Sequence, residues 1–238
     1  MPSGIRFTRF KDSTALAHAA AELVLSQLRR ASRSLFCPAA GASPIETYRI
    51  LAKRAAENHT LFNRVHLVML DERLGLPDSH PSTFQFQIQS QLIEPLKITH
   101  SQLLHSDRDP LPQAKEMSRF LDIEGPLDLT LLGLGRNGHL GLNEPGEHMV
   151  PSTHVALLKP ETLEHPMIQD VIEKPTHGIT LGMKEILEST SILLLVIGEN
   201  KRGALKKLRR QEVTPAFPAS FLWLHRDIEC FYDEDADS

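Results

Sequence analysis

Leu127–Gly146 reads LDLTLLGLGRNGHLGLNEPG, and this stretch decides the fold. Leu127, Leu129, Leu131 and Leu132 surround a single Asp128, an apolar run of strand length that breaks into Gly133, Gly135, Gly138 and Gly141. Such a run ending in glycines is how a buried strand of a parallel sheet passes into a loop at its carboxyl end. That edge is where open α/β sheets hold their ligands. The loop carries Asn137, His139, Asn143 and Glu144. An imidazole, a carboxylate and two amides on glycine-softened backbone behind a buried strand make a catalytic loop.

Outward from this stretch, strand and helix patterns alternate. Ser13–Ala31 reads as an Ala- and Leu-rich helix with Ser13 as its N-cap. Ser34–Cys37 is a short apolar strand, followed by Pro38–Pro44 and a helix from Ile45 to about Asn58. The small residues Gly41, Ala42 and Ser43 let backbone N–H groups approach an anion, and the helix N-terminus behind them adds partial positive charge. Val65–Leu70 is the next buried strand, delivering Asp71 and Glu72 to the same sheet edge. No helix starts at once there, because Gly75 and Pro77 intervene, so these acids are candidates for function.

A helix is expected from His80 to about Leu92, irregular chain over Leu103–Asp109 and a helix over Leu111–Leu121. Residues 147–176 carry several prolines and little periodicity, the pattern of a lid. A short helix is expected over Gly178–Glu188, and the most apolar strand over Ile192–Ile197. That strand ends in Gly198-Glu-Asn-Lys201 before the basic helix Arg202–Arg210, and Lys201 is the cation best placed to reach an anionic ligand. FLWLHRDIECFY, from Phe221 to Tyr232, reads as one or two closing strands. The pattern predicts a single α/β domain over 1–238, three-layered α/β/α, with a mainly parallel, Rossmann-like central sheet.

With 41% hydrophobic and 24% charged residues the chain has the makings of a full core. A net charge of -4 offers no basic surface to nucleic acid or an anionic membrane. No apolar run approaches the roughly 20 residues of a membrane helix, and MPSGIRFTRFKD lacks a signal-peptide core. Cys37 and Cys230, far apart, suggest neither a disulfide framework nor a metal knuckle, so a reducing cytoplasm is expected. A homo-oligomer is compatible with the sequence.

GLGRNGHLGLNEPG resembles the signature of the glucosamine-6-phosphate deaminase family, whose relatives include 6-phosphogluconolactonases. The order Gly41-Ala-Ser-Pro44, Leu70-Asp-Glu-Arg73, Asn137-Gly-His139, Asn143-Glu-Pro145 and Gly198-Glu-Asn-Lys201 follows that family from end to end. His177–Leu187 and Pro218–His225 are most similar to the branch named galactosamine-6-phosphate isomerase. The resemblance implies a 2-amino-2-deoxyhexose 6-phosphate as substrate, galactosamine 6-phosphate yielding tagatose 6-phosphate and ammonia, without metal or organic cofactor. It implies ring opening by His139, oriented by Glu144, and proton transfer from C2 by Asp71, whose carboxyl must be raised by burial to serve. Asn137 stands where several deaminases carry aspartate; an amide orients a neighbour but cannot relay a proton, which leaves His139 and Glu144 as the couple. Gly41, Ala42, Ser43, Glu72, Gly138 and Lys201 are the implied substrate and phosphate contacts. No lid arginine stands where some deaminases grip phosphate, and only Lys159 and His165 are cationic candidates there. Glucosamine-6-phosphate deamination, lactone hydrolysis with His139 activating water, and a non-catalytic sugar-phosphate sensor are the alternatives.

Overall fold

The computed structural model describes residues 4–29, 33–58, 60–163, 171, 172 and 174–237. In chain order the first half contains β1 (Ile5–Phe10), α1 (Ser13–Leu28), β2 (Ser34–Cys37), α2 (Ile45–Glu57), β3 (Val65–Val68), β4 (Asp71–Arg73), α3 (Phe84–Ile88), α4 (Glu94–Leu96), β5 (His100–Gln102) and α5 (Pro110–Glu124). The second half contains β6 (Leu129–Gly133), β7 (His154–Leu157), α6 (Pro160–Leu163), β8 (His177–Thr180), α7 (Met183–Leu187), β9 (Ser191–Val196), α8 (Arg202–Leu208) and β10 (Ile228–Asp233).

Seven strands form one parallel sheet in the order β1-β10-β9-β6-β2-β3-β5. The central strands earn that position by composition: β2 and β9 are buried at every residue and β6 at all but its last. Strands covered on both faces have no polar side to alternate with. The edges are different. β1 (IRFTRF) is half exposed and β5 (HSQ) is polar, so neither shows the apolar run that marks a buried strand, and both stand outside the sequence-based expectation. Helices flank the sheet; α1 packs on α2 and against β1, β6 and β10. Its N-cap is Asp12, one residue before the expected Ser13, because the Asp12 carboxylate accepts from the Ala15 N–H at 2.7 Å. Cys37 and Cys230 are both buried free thiols.

A second, three-stranded antiparallel sheet, β4-β8-β7, corrects three expectations. His177–Thr180 is its central strand, although the chain from Gly178 onward reads as a helix, and the helix is confined to Met183–Leu187. The segment read as an unpatterned lid contributes β7 and α6, while residues 164–170 and 173 lie outside the described residues. The helix expected from His80 starts instead at Phe84, capped by Thr83, and continues through a wide turn, Gln89–Ile93, to Leu96. At the C-terminus, Pro218–Leu224 forms a 3-10 helix and only Ile228–Asp233 is a strand.

The short strand β4 places Asp71 and Arg73 on one face and Glu72 on the other, because side chains alternate along a strand. Glu72 is wholly buried there. It accepts from the N–H groups of Arg73 at 2.7 Å, Phe84 at 2.9 Å and Gln85 at 2.6 Å. The expected substrate contact is thus a cap that ties β4 to the first turn of α3. Burial pushes its carboxyl up to about 8 against the pull of those three amides. Because that carboxyl stands above its ordinary value of 4.5, stability falls as pH rises from about 4.5 through 8, and Glu72→Gln is expected to remove that dependence. Urea unfolding measures this, and a substrate-binding role would instead cut kcat/KM with stability unchanged.

Candidate active site

The sheet order fixes where a site can form. The chain passes from β2 outward to β3 and β5, then returns to β6 beside β2 and proceeds the other way to β9 and β10. The connections leaving β2 and β6 therefore diverge, opening a crevice beyond their carboxyl ends. A cavity of about 720 Å³ occupies it. Its walls come from Ala39–Ser43 after β2, Gly133–Asn137 and His139 after β6, Asp71 and Arg73 of β4, Phe84 and Gln87 of α3, and Asn200 and Lys201 after β9.

The loop after β2 is held by two side chains. Tyr48 Oη donates to the Ala39 carbonyl at 2.6 Å. Gln87 Oε1 accepts from the Gly41 N–H at 2.9 Å, and Gln87 Nε2 donates to the Gly41 carbonyl at 2.7 Å. Gly41 lines the cavity, but its N–H is already engaged, which corrects its assignment as an anion donor. The N–H groups of Ala42 and Ser43 have no protein partner among the described residues. The Ser43 hydroxyl lies over Gly133, its Oγ 3.8 Å from where a Cβ would stand.

The loop after β6 is built around one amide. Asn137 Nδ2 donates to Glu144 Oε2 at 3.0 Å, and Asn137 Oδ1 accepts from the His139 backbone N–H at 3.1 Å. Oδ1 also lies 2.9 Å from His139 Nδ1, so Nδ1 carries the proton and Nε2 the lone pair in the neutral ring. His139 Nδ1 and Glu144 Oε2 are 3.7 Å apart. Their expected contact is therefore electrostatic, with Asn137 between them as the hydrogen-bonded link. Thr162 Oγ1 donates to Glu144 Oε1. Close approach sets the glycines: a Cβ on Gly135 would lie 2.5 Å from the His139 ring, and one on Gly138, at φ +92°, would lie 2.1 Å from the Phe217 ring. Gly138 faces Phe217 and Glu144 lies behind the loop, so neither lines the cavity.

Asp71 is the acid of the cavity wall, and burial pushes its carboxyl up to about 7 while Arg73 opposes the shift. Arg73 is buried, with Nη1 donating to the Ser82 carbonyl at 3.0 Å and its guanidinium 4.1 Å from the centre of the Phe84 ring. Burial, and secondarily Arg136, hold the Lys201 amine below its usual range. Sequence reasoning passed over Arg73, Arg136, Gln87 and Thr162 as site residues. The two-residue spacing from Asp71 could have found Arg73, and the placement of Arg136 inside GLGRNGH could have found it. Glu72 and Lys159 do not line the cavity, and His165 lies outside the described residues.

The arrangement provides a buried carboxylate, an imidazole of fixed tautomer and cationic groups around one cavity. Residues 11–230 match the family described as glucosamine-6-phosphate isomerases/6-phosphogluconolactonase. AgaI of Escherichia coli (strain K12) is 37% identical over 219 residues, covering 91% of this chain and 87% of its own. A glucosamine-6-phosphate deaminase of Shewanella loihica is 34% identical, covering 96% and 87% of the two chains. The structure of a monomeric glucosamine-6-phosphate deaminase superposes with a TM-score of 0.90 at 30% identity, over 97% of this chain and 98% of that one. The 6-phosphogluconolactonase of Trypanosoma brucei shares the fold, with a TM-score of 0.75 at 16% identity over 99% and 98%. With the profile spanning nearly the whole chain, the protein belongs to the family of glucosamine-6-phosphate isomerases and 6-phosphogluconolactonases.

Proposed function

We propose that the protein isomerises and deaminates a 2-amino-2-deoxyhexose 6-phosphate, taking galactosamine 6-phosphate to tagatose 6-phosphate and ammonia. The observation that carries this reading is Asp71, a cavity carboxyl raised to about 7 by burial. Lactone hydrolysis has work for one base that activates water, and His139 suffices. Aldose–ketose conversion needs a second base at carbon, and Asp71 is built as one. The deaminase relatives support the same chemistry.

His139 opens the ring: Nε2 takes the proton of the anomeric hydroxyl and returns one to the ring oxygen as the C1–O5 bond breaks, leaving the C1 aldehyde. Asn137 Oδ1 holds the Nδ1 proton throughout, and Glu144, 3.7 Å away, stabilises the transient imidazolium. Asp71 then removes the C2 proton, the electron pair shifts onto the C1 carbonyl, and its oxygen takes a proton from solvent to give an enolamine. Protonation at C1 yields the C2 imine, and addition of water with loss of ammonia leaves the ketone. The amides of Ala42 and Ser43, the Ser43 hydroxyl and Lys201 hold the phosphate.

Asp71 has opposing roles in activity and stability. Its carboxyl sits near 3.8 when unperturbed and about 7 in the fold. Between those values the folded chain keeps a proton the unfolded chain releases, so the stability contribution falls as pH rises from about 4 through 7. Asp71→Asn is expected to cut ammonia release by about 10² or more. The same variant is expected to gain up to about 4 kcal/mol in urea unfolding at pH 8, and little at pH 4. Near-wild-type ammonia release from the variant removes Asp71 from the mechanism.

The Asn137 bridge makes His139 and Glu144 a unit. Asn137→Ala, Glu144→Gln and the double variant are expected to show similar losses in kcat, because each disorders the same imidazole. Multiplicative losses in steady-state kinetics would separate them.

The epimer preference rests on the resemblance at His177–Leu187 and Pro218–His225, which support the site from outside the cavity wall. A site that hydrogen-bonds one C4 hydroxyl orientation leaves a buried group unpaired with the other, giving a preference of about 10- to 100-fold in kcat/KM. A coupled ammonia assay across galactosamine, glucosamine and mannosamine 6-phosphates reads it. Glucosamine 6-phosphate turned over as well as its epimer would sink the galacto assignment and leave Asp71 and His139 in place.

A further inference from the structure

The loops that follow three neighbouring strands converge on one end of the cavity. β2, β6 and β9 are adjacent in the sheet, with Phe36 paired to Leu129 and Gly133 to Leu195. Ser43 follows β2 and lies over Gly133, Arg136 follows β6 by three residues, and Lys201 follows β9 by five. All three line the cavity. Arg136 is exposed, whereas Lys201 is half-buried. Residues 147–176 contain no arginine.

We propose that Arg136 is the second cation of the phosphate site, closing with Lys201 and Ser43 a clamp built on the sheet edge and not on the segment over the cavity. The inference rests on the sugar-phosphate reading for its substrate and on strand adjacency for its geometry. A guanidinium offers two parallel N–H donors to a phosphate, and a lysine ammonium adds a point charge on the other side. The mutual repulsion of the two cations, which contributes to holding the Lys201 amine low, is relieved when a dianion lies between them. A clamp made from the catalytic loop also couples binding to chemistry, because Arg136 is the residue before Asn137. A seated phosphate then fixes the loop that aims His139.

The test uses inorganic phosphate as the probe and the amino-sugar phosphate as substrate, on the full chain. Arg136→Gln is expected to raise the Kd for inorganic phosphate, measured by ³¹P NMR titration, and the KM for substrate by about 10- to 100-fold each. kcat should fall as well, because the seated phosphate no longer fixes the loop that aims His139, and Arg136→Lys should recover part of each loss. Arg119→Gln, the same charge change on α5 outside the cavity, controls for net charge. Phosphate affinity and KM within twofold of wild type in Arg136→Gln would overturn the clamp, as would wild-type protein that binds no phosphate. Phosphate binding that depends on Arg136 in a protein releasing no ammonia would keep the clamp and discard the deaminase reading.

Discussion

Two adjacent parallel strands, β2 and β6, whose onward connections run in opposite directions are the constraint on which the rest of the structure depends. Parallel neighbours cannot be joined by a hairpin, so each must send its chain over a face of the sheet. Where those departures diverge, backbone cannot fill the space beyond the strand ends. The cavity is the volume left open, and its two principal walls are the chain segments forced apart there, Ala39–Ser43 and Gly133–His139. β3 reinforces this from the side, since two residues after it the chain enters β4 and a second sheet. Asp71 reaches the cavity from that second sheet, braced by pairing with Thr180 in β8.

The second sheet does its work through alternation. In Asp71-Glu72-Arg73, parity sends the outer two toward the cavity and the middle one into the protein. An acid buried without donors would cost several kcal/mol; Glu72 is supplied with three amides, while among the described residues no hydrogen bond reaches the Asp71 carboxyl. The difference decides their roles. Glu72 faces into the protein with both oxygens engaged, whereas Asp71 lines the cavity, where a substrate can reach it. Arg73, clamped between the Ser82 carbonyl and the Phe84 ring, keeps Asp71 from rising further.

The central strands were legible because strands buried on both faces are predominantly apolar; β2, β6 and β9 are such runs, and β3 departs from one at the half-buried His66. Edge strands β1 and β5 escape that rule, and β4 is too short for a period to appear. The segment Gly178–Glu188 looked helical because a four-residue strand and a five-residue helix sit back to back, with Gly182 between them. Of the site, His139, Asp71 and the small-residue loop were legible from residue type and strand end. The hydrogen bonds of Asn137, Glu72 and Gln87 were not, because each depends on a partner brought close by tertiary packing. Gln87 in particular is 46 residues from the Gly41 peptide it brackets.

The charges of the cavity divide into two poles, and the division constrains what can bind. Asp71 is shifted by its burial and by Arg73 alone, and Lys201 by its burial and by Arg136 alone. Asp71 enters the wall from β4 of the second sheet, whereas Ser43, Arg136 and Lys201 follow strands of the main sheet, so the group that accepts a proton and the groups that attract an anion come from separate elements. That separation is required for the proposed chemistry. A phosphate dianion beside Asp71 would raise its carboxyl further and hold it protonated near neutral pH, removing the base. A phosphate on C6 and a reacting carbon at C2 keep the dianion and the base several bonds apart, so the binding charge can be strong without disarming the catalytic one. An aldose carrying its phosphate near C1 would bring the two together, and the same cavity would bind it without being able to enolise it.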